Sequence, residues 1–145
     1  MIVTVASFKG GVGKTTTAIH LAAYLHTRGA ALLVDGDVNR SALKWAEAGL
    51  LPFRVADERG SAKHIRQAEN VVIDTQARPS REDLKELANG CDLLVIPATP
   101  DALSLRALFL TVDELHAIKA DSFRILDRKS TRLNSSHLVI SYAVF

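Results

Sequence analysis

A glycine-rich loop near the start of the chain has the residues needed to bind phosphate. Residues 8–17 read FKGGVGKTTT, between an apolar run that predicts a buried strand (residues 2–6) and a helical pattern beginning at Thr16. Glycines let backbone N–H groups turn inward around phosphate oxygens, and the helix N-terminus adds its positive dipole end. Lys14 would contact the β- and γ-phosphates, and the Thr15 hydroxyl would bind Mg²⁺. The predicted phosphate-binding residues are Gly10, Gly11, Val12, Gly13, Lys14, Thr15 and Thr16.

Three aspartates follow apolar runs that predict buried strands. Asp35 and Asp37 come after residues 30–34, and Asp74 comes after residues 71–73. In open α/β sheets, ligands lie beyond the carboxyl ends of the strands. A carboxylate at such an end can hold Mg²⁺ directly or through a water molecule. One aspartate alone would often be only a turn former, but three beside a phosphate-binding loop predict a metal-dependent phosphate site.

The loop departs from the plain pattern G-x-x-x-x-G-K-(S/T). Phe8 stands at the first glycine position, and a second lysine, Lys9, precedes the double glycine. This deviant form, K-G-G-x-G-K-T-(S/T), resembles the loop of the ParA/MinD family of P-loop ATPases. The resemblance implies that Lys9 reaches across a dimer interface to the nucleotide of the partner subunit.

The aspartate motifs extend this resemblance. The family commonly has D-x-D-P-Q at the first strand end and D-T-P or D-T-Q-A at the later one. This chain has DGDVN at residues 35–39, with Val-Asn in place of Pro-Gln, and DTQA at residues 74–77. The resemblance implies that Asp37 positions the attacking water, that Asp35 is a metal-side carboxylate, and that Asp74 is a second-sphere Mg²⁺ ligand. The predicted catalytic residues are thus Lys9, Lys14 and Asp37, and the predicted metal-binding residues are Thr15, Asp35 and Asp74.

Strand and helix patterns alternate along the chain, which positions these residues. Predicted strands cover residues 2–6, 30–34, 53–55, 71–73 and 93–96, with another beginning at 123–126. Predicted helices cover residues 16–28, 41–48, 61–68, 80–88 and 102–120, with Ser41, Ser80 and Asp101 as N-caps and Pro97 ending a strand. This order predicts an α/β fold of the P-loop NTPase type, with a doubly wound, mainly parallel sheet.

Composition is that of a globular α/β protein. The chain has 145 residues, 48% hydrophobic and 23% charged, which favours one domain. No apolar run approaches the ~18 residues of a membrane span, and no signal peptide is recognisable. The single cysteine, Cys91, cannot form an internal disulfide, so we expect a cytoplasmic protein. The five histidines lack the spacing of a zinc site.

The last nineteen residues, 127–145, resemble a translated sequencing-library adapter. Residues 127–137 and 140–145 match fixed adapter bases, with index bases between them. We therefore expect residues 1–126 to be the N-terminal part of a ParA-like ATPase domain, C-terminally truncated, and residues 127–145 to be a non-native tail. The net charge of +2 comes wholly from the tail, so it does not indicate a nucleic-acid surface.

The family resemblance spans residues 1–126 and is nearest to the ParA side, because of DTQAR at residues 74–78 and IPATP at residues 96–100. It implies an ATP-dependent dimerising switch in which two subunits enclose two ATP molecules. The ATP-bound homodimer would bind DNA non-specifically over the nucleoid, and a ParB-like protein or cargo adaptor would stimulate hydrolysis.

Other functions in the same superfamily make different demands on the sequence. A MinD-type membrane-associated ATPase needs a C-terminal amphipathic helix, and that region is missing, so the sequence leaves this alternative open. A nitrogenase-reductase-like protein needs paired cysteines for an iron–sulfur cluster, which a single cysteine argues against. A small-molecule kinase would give Lys9 no evident role. A non-functional truncated fragment of a ParA-like gene is the remaining alternative.

Overall fold

The computed structural model describes residues 1–128 and 141–142, so most of the segment 127–145 lies outside the described residues. The strands are β1 (Ile2–Val5), β2 (Ala31–Gly36), β3 (Arg54–Asp57), β4 (Asn70–Thr75), β5 (Leu93–Ala98), β6 (Phe123–Asp127) and β7 (Ser141–Tyr142). The helices are α1 (Lys14–His26), α2 (Ser41–Glu47), α3 (Glu58–Ile65), α4 (Arg81–Asn89) and α5 (Ala102–Ala117).

The strands form one sheet in the order β3-β2-β4-β1-β5-β6-β7. All pairings from β3 to β6 are parallel, and β7 pairs antiparallel with β6. The chain starts at the centre with β1, builds one half of the sheet, and then crosses to β5 on the other side of β1. The predicted doubly wound, mainly parallel sheet is therefore confirmed.

Apolar side chains cover both faces of this sheet. One buried cluster joins Val5 and Val95 to Ala18 of α1, whereas a second joins Leu94 to Leu84 of α4 and to other residues on that face. Successive residues of a strand point to opposite faces, so neighbours in β5 belong to different clusters. Burial on both faces explains why the central strands read as continuous apolar runs in the sequence.

The register places the predicted site residues side by side. Asp74 of β4 pairs with Val5, the last residue of β1, and it also pairs with Asp35 of β2. Gly36 lies one residue further, opposite Thr75. Because β1, β4 and β2 are neighbours and parallel, their carboxyl ends form one edge, where the loop and the aspartates meet.

The prediction that Pro97 ends a strand is wrong, because β5 continues through it to Ala98. Backbone groups of successive strand residues bond to opposite neighbours. The N–H of Ala6 donates to the carbonyl of Val95 on the β1 side at 3.1 Å, and Arg128 N–H donates to that of Ala98 on the β6 side at 2.7 Å. The nitrogen of Pro97 therefore faces the β1 side, where β1 has already ended, so its missing N–H breaks no ladder bond.

Two predicted helix starts and one predicted N-cap are also wrong. Helix α1 begins at Lys14 rather than at the predicted Thr16, because Gly13 already serves as its N-cap. Ser41 is the first residue of α2 rather than its N-cap, and Arg40 occupies the cap with a left-handed φ of 50°. Helix α3 begins at Glu58, before the predicted residue 61, because the Asp57 side chain accepts a hydrogen bond from the N–H of Gly60 and caps it.

Two other predicted caps are confirmed. Ser80 caps α4 and forms a capping box with Asp83. Asp101 caps α5 by accepting a hydrogen bond from the N–H of Ser104. Helix α5 consequently starts at a fixed point close to the carboxyl edge of the sheet, directly after β5.

Candidate nucleotide-binding site

The glycine-rich loop connects β1 to α1 in the conformation that its glycines allow. Gly11 and Gly13 have φ values of 77° and 83°, a left-handed region that residues with a Cβ seldom adopt. Helix α1 begins at Lys14 with Gly13 as its N-cap, and no side chain caps it. The backbone N–H groups of the first helical turn are therefore available to an anion, as the predicted phosphate-binding role of residues 10–16 requires.

Lys14 brings a positive charge into the base of this loop. Its side chain is buried, with the residue only 6% exposed. Burial lowers the pKa of the Lys14 ammonium, and the carboxylates of Asp74 and Asp37 oppose that effect. A buried ammonium is costly unless an anion partners it, so the site is organised to receive negative charge.

Asp74 is the most unusual side chain of the site. It is fully buried, and neither carboxylate oxygen accepts a hydrogen bond from the described residues. Burial raises the pKa of its carboxyl to about 6, while the neighbouring Thr15 hydroxyl works in the opposite direction. Buried polar groups nearly always have partners, and exceptions require an explanation.

A divalent cation would account for such a carboxylate. Among the described residues, no group of three or more His, Cys, Asp or Glu side chains is arranged to hold a metal ion alone. Mg²⁺ needs no such group, because it binds through one or two protein ligands, water and substrate phosphates. The two free oxygens of Asp74 and the hydroxyl of Thr15, one helical residue after Lys14, fit this mode.

The other two aspartates of the motif have different surroundings. Asp35 is buried, and its two oxygens accept backbone N–H groups from Asp37 at 3.1 Å and from Leu43 of α2 at 2.9 Å. Asp37 is half-buried and accepts the backbone and side-chain N–H groups of Asn39 at 2.8 and 3.0 Å. Asp35 thus holds the loop and α2 in place, and its predicted metal contact would use its remaining lone pairs. The predicted roles of both aspartates stay predictions.

Lys9 is occupied within its own chain. Its Nζ lies 2.7 Å from the Oδ1 of Asp101, the residue that caps α5. The sequence predicted Asp101 only as a helix cap, so this contact across the site was missed. The predicted role of Lys9 in a partner's site stays a prediction.

Arg128 was also missed, because the sequence placed it in the expected non-native tail. Its guanidinium donates a hydrogen bond to the carbonyl of Val12 at 2.9 Å. The guanidinium also covers the open face of Gly13, where an added Cβ would overlap it. The sequence could have indicated this contact, because Arg128 follows β6 directly and therefore lies at the same edge of the sheet as the other site residues.

Comparison with known proteins agrees with this geometry. The family model described as the CobQ/CobB/MinD/ParA nucleotide binding domain matches residues 3–138. A maintenance of carboxysome distribution protein A from Gloeobacter kilaueensis is 38% identical over 132 residues, covering 86% of this chain and 61% of the relative. A ParA protein from Rhizobium radiobacter is 34% identical over 131 residues, covering 81% of this chain and 59% of the relative. The chain thus spans about 60% of the length of these relatives.

The fold has a solved counterpart. The crystal structure of a plasmid partition protein from Borrelia burgdorferi, bound to AMPPNP, superposes with a TM-score of 0.70 at 19% identity. It covers 92% of this chain and 76% of that protein. Within the described residues, no helix is long and apolar enough to cross a membrane. On the extent of the family match, together with the loop and the aspartates at the sheet edge, the chain belongs to the CobQ/CobB/MinD/ParA family of nucleotide-binding domains.

Proposed function

We propose that this chain is the N-terminal part of an ATP-dependent dimerising switch, which hydrolyses ATP to position or partition DNA or protein cargo over the nucleoid. The observation that carries the proposal is the phosphate-binding loop beside the buried carboxylate of Asp74, which accepts no hydrogen bond within the described part of the chain. That pairing suits a nucleotide bound together with Mg²⁺. The names of the relatives, a carboxysome-distribution protein and ParA, support the positioning role.

The reaction would be phosphoryl transfer from ATP to water. The loop N–H groups and Lys14 would hold the β- and γ-phosphates, and Asp37 would orient a water molecule toward the γ-phosphorus. Thr15 would bind Mg²⁺, with Asp35 as a metal-side carboxylate and Asp74 as a second-sphere ligand. Mg²⁺, when bound, neutralises charge on the phosphate oxygens. The new P–O bond forms to water as the bond to the β-phosphate oxygen breaks, so positioning and charge neutralisation supply most of the catalysis.

Dimerisation would couple this chemistry to cargo movement. In the ATP-bound homodimer, Lys9 of each subunit would complete the site of the other. The dimer would hold non-specific DNA through phosphate contacts, which makes its binding salt-dependent. A ParB-like protein or cargo adaptor would stimulate hydrolysis and so release the dimer.

The two lysines of the loop provide matched variants for testing the proposal. Lys14→Ala removes the charge at the phosphates and should abolish binding of a fluorescent ATP analogue with Mg²⁺. Lys9→Ala removes an equal charge from the same loop, and it should leave nucleotide binding intact but prevent ATP-dependent dimers in sedimentation. Wild-type nucleotide affinity in Lys14→Ala would refute the phosphate-loop assignment. A persistent ATP-dependent dimer with normal turnover in Lys9→Ala would refute the cross-subunit role.

The alternatives predict other behaviour. A MinD-type protein would bind lipid vesicles in an ATP-dependent manner, and the ParA-like reading predicts ATP-dependent DNA binding instead. For the 145-residue chain itself we expect lower ATPase activity than for a full-length relative, because the chain spans about 60% of the length of its relatives. Solubility, cooperative unfolding and ATP turnover should be compared with those of a full-length relative. Relative-like turnover from a soluble chain would show that truncation does not disable the site.

A further inference from the structure

An ion pair connects the glycine-rich loop to the start of α5. Lys9 Nζ lies 2.7 Å from Asp101 Oδ1, across 92 residues of sequence. We propose that Asp101 is an intramolecular latch, which holds Lys9 in the nucleotide-free chain and must release it before a second copy of the chain can bind. The inference rests on the proposed cross-subunit role of Lys9 and adds to it the residue that controls when Lys9 is free.

The Asp101 carboxylate is held in position independently of Lys9. Its Oδ1 also accepts the N–H of Ser104 at 2.9 Å, and its Oδ2 accepts the hydroxyl of Thr99 at 2.5 Å. Pro100, between Thr99 and Asp101, restricts the conformations of the preceding residue. The acceptor is therefore pre-organised, and the entropic cost of the ion pair falls mainly on the lysine side chain.

Lys9 is also directed toward this acceptor by its own backbone. The Lys9 N–H donates to the Ser7 hydroxyl at 3.1 Å, which orders the chain just before the double glycine. The Lys9 and Asp101 side chains are 30% and 48% exposed, so water and salt reach the pair. Exposed ion pairs are weak and exchange readily. The pair can therefore close the latch without holding it permanently.

Charge explains how the latch would open. Among the described residues, Lys9 forms an ion pair with one carboxylate, that of Asp101, whereas a nucleotide bound to a second copy would present several phosphate charges. The lysine can exchange one anionic partner for a stronger one, provided that the second copy has bound its nucleotide. Dimerisation would thus be disfavoured in the absence of nucleotide by a contact within the same chain.

The test uses Asp101→Asn, because asparagine caps a helix as well as aspartate but carries no charge. The matched control is Asp83→Asn, which removes the same charge from the first turn of α4. Acylation of the Lys9 amine by an N-hydroxysuccinimide ester is measured by mass spectrometry in the nucleotide-free chain, with Lys85 as the internal reference. If the latch exists, Lys9 should be labelled roughly two- to fivefold faster in Asp101→Asn and at an unchanged rate in the control. That factor is the equilibrium constant that corresponds to the free energy of an exposed ion pair. Unchanged labelling of Lys9 would overturn the proposal.

Sedimentation with ATP and Mg²⁺ provides the second measurement. Because a latch must open in each of the two subunits, the per-subunit factor is squared, and the protein concentration at half-dimerisation should fall by about four- to twenty-five-fold in Asp101→Asn and stay the same in Asp83→Asn. If wild type forms dimers but Asp101→Asn needs the same or a higher concentration, the latch is refuted while the proposed function stands. If wild type forms no ATP-dependent dimer at all, the proposed function fails first, and the latch fails with it.

Discussion

The burial of the Asp74 carboxylate leads to a quantitative prediction for the free energy of unfolding in the absence of nucleotide. Its side chain is fully buried without a hydrogen-bond partner among the described residues, and burial raises its pKa from 3.8 to about 6. A raised carboxyl pKa means that the folded protein binds the proton more tightly than the unfolded chain. The contribution to stability is therefore fully present below pH ~4, and it is lost as the pH rises from about 4 to about 6.

The size of the loss follows from the two pKa values. The difference between 3.8 and about 6 corresponds to about 3 kcal/mol, since one pH unit is worth about 1.4 kcal/mol. Asp74→Asn keeps the shape of the side chain but cannot ionise. At pH 7.5 we expect this variant to be more stable than wild type by up to about 3 kcal/mol, or about 6–12 °C in Tm for a chain of this size.

Urea unfolding followed by circular dichroism, in EDTA and without nucleotide, would measure this effect between pH 4 and pH 7.5. The gain of Asp74→Asn should vanish near pH 4, where Asp74 of the wild type is protonated. Asp83→Asn is the control: hydrogen bonds from Ser80 lower the pKa of that exposed carboxyl, so its loss should not stabilise the protein. A destabilised Asp74→Asn at pH 7.5, or a gain that does not vary with pH, would refute the reasoning.

The same variant links stability to function. Wild type should gain stability from ATP with Mg²⁺, because a ligand that binds only the folded state raises the free energy of unfolding. Asp74→Asn should lose most of that gain, since it lacks the carboxylate that would hold Mg²⁺. Equal stabilisation of both proteins by ATP with Mg²⁺ would remove Asp74 from the predicted metal site.

Three further substitutions test other parts of the site. Asp37→Ala should reduce ATP turnover by at least about a hundredfold while nucleotide binding survives, measured by phosphate release and analogue binding; unchanged turnover would place water positioning elsewhere. Gly36→Ala should destabilise the fold by about 1–3 kcal/mol in urea unfolding, because its Cβ would come within 3.0 Å of the Asp74 carbonyl oxygen. An unchanged urea midpoint would mean that β4 shifts to admit the Cβ without loss of stability. Arg40→Gly should stabilise the fold by about 0.5–1 kcal/mol, since Arg40 has a left-handed φ of 50°. A loss of stability would show that the Arg40 side chain contributes more than its backbone conformation costs.

Much of the site could be predicted because its chemistry is local in sequence. Strand, glycine-rich loop and helix are consecutive, so residues 10–16 can be assigned to a phosphate site without knowing the rest of the fold. Asp35 and Asp74 follow apolar runs, and parallel strands bring such ends to one edge. Helix starts were less predictable: Ser41 and Asp57 are both good capping residues, but only Asp57 is used as one.

The sequence by itself determined the alternation of strands and helices, the phosphate loop and the family, because local patterns carry that information. Only the tertiary structure decided how the charges are partnered. It joined Lys9 to Asp101, satisfied Asp35 with backbone N–H groups, and buried Asp74 where no described residue forms a hydrogen bond with its carboxylate. It also placed Arg128 on the loop. Such contacts form only where packing of the fold brings two side chains within about 3 Å of each other. When the two residues are far apart in sequence, no local pattern indicates that they will meet.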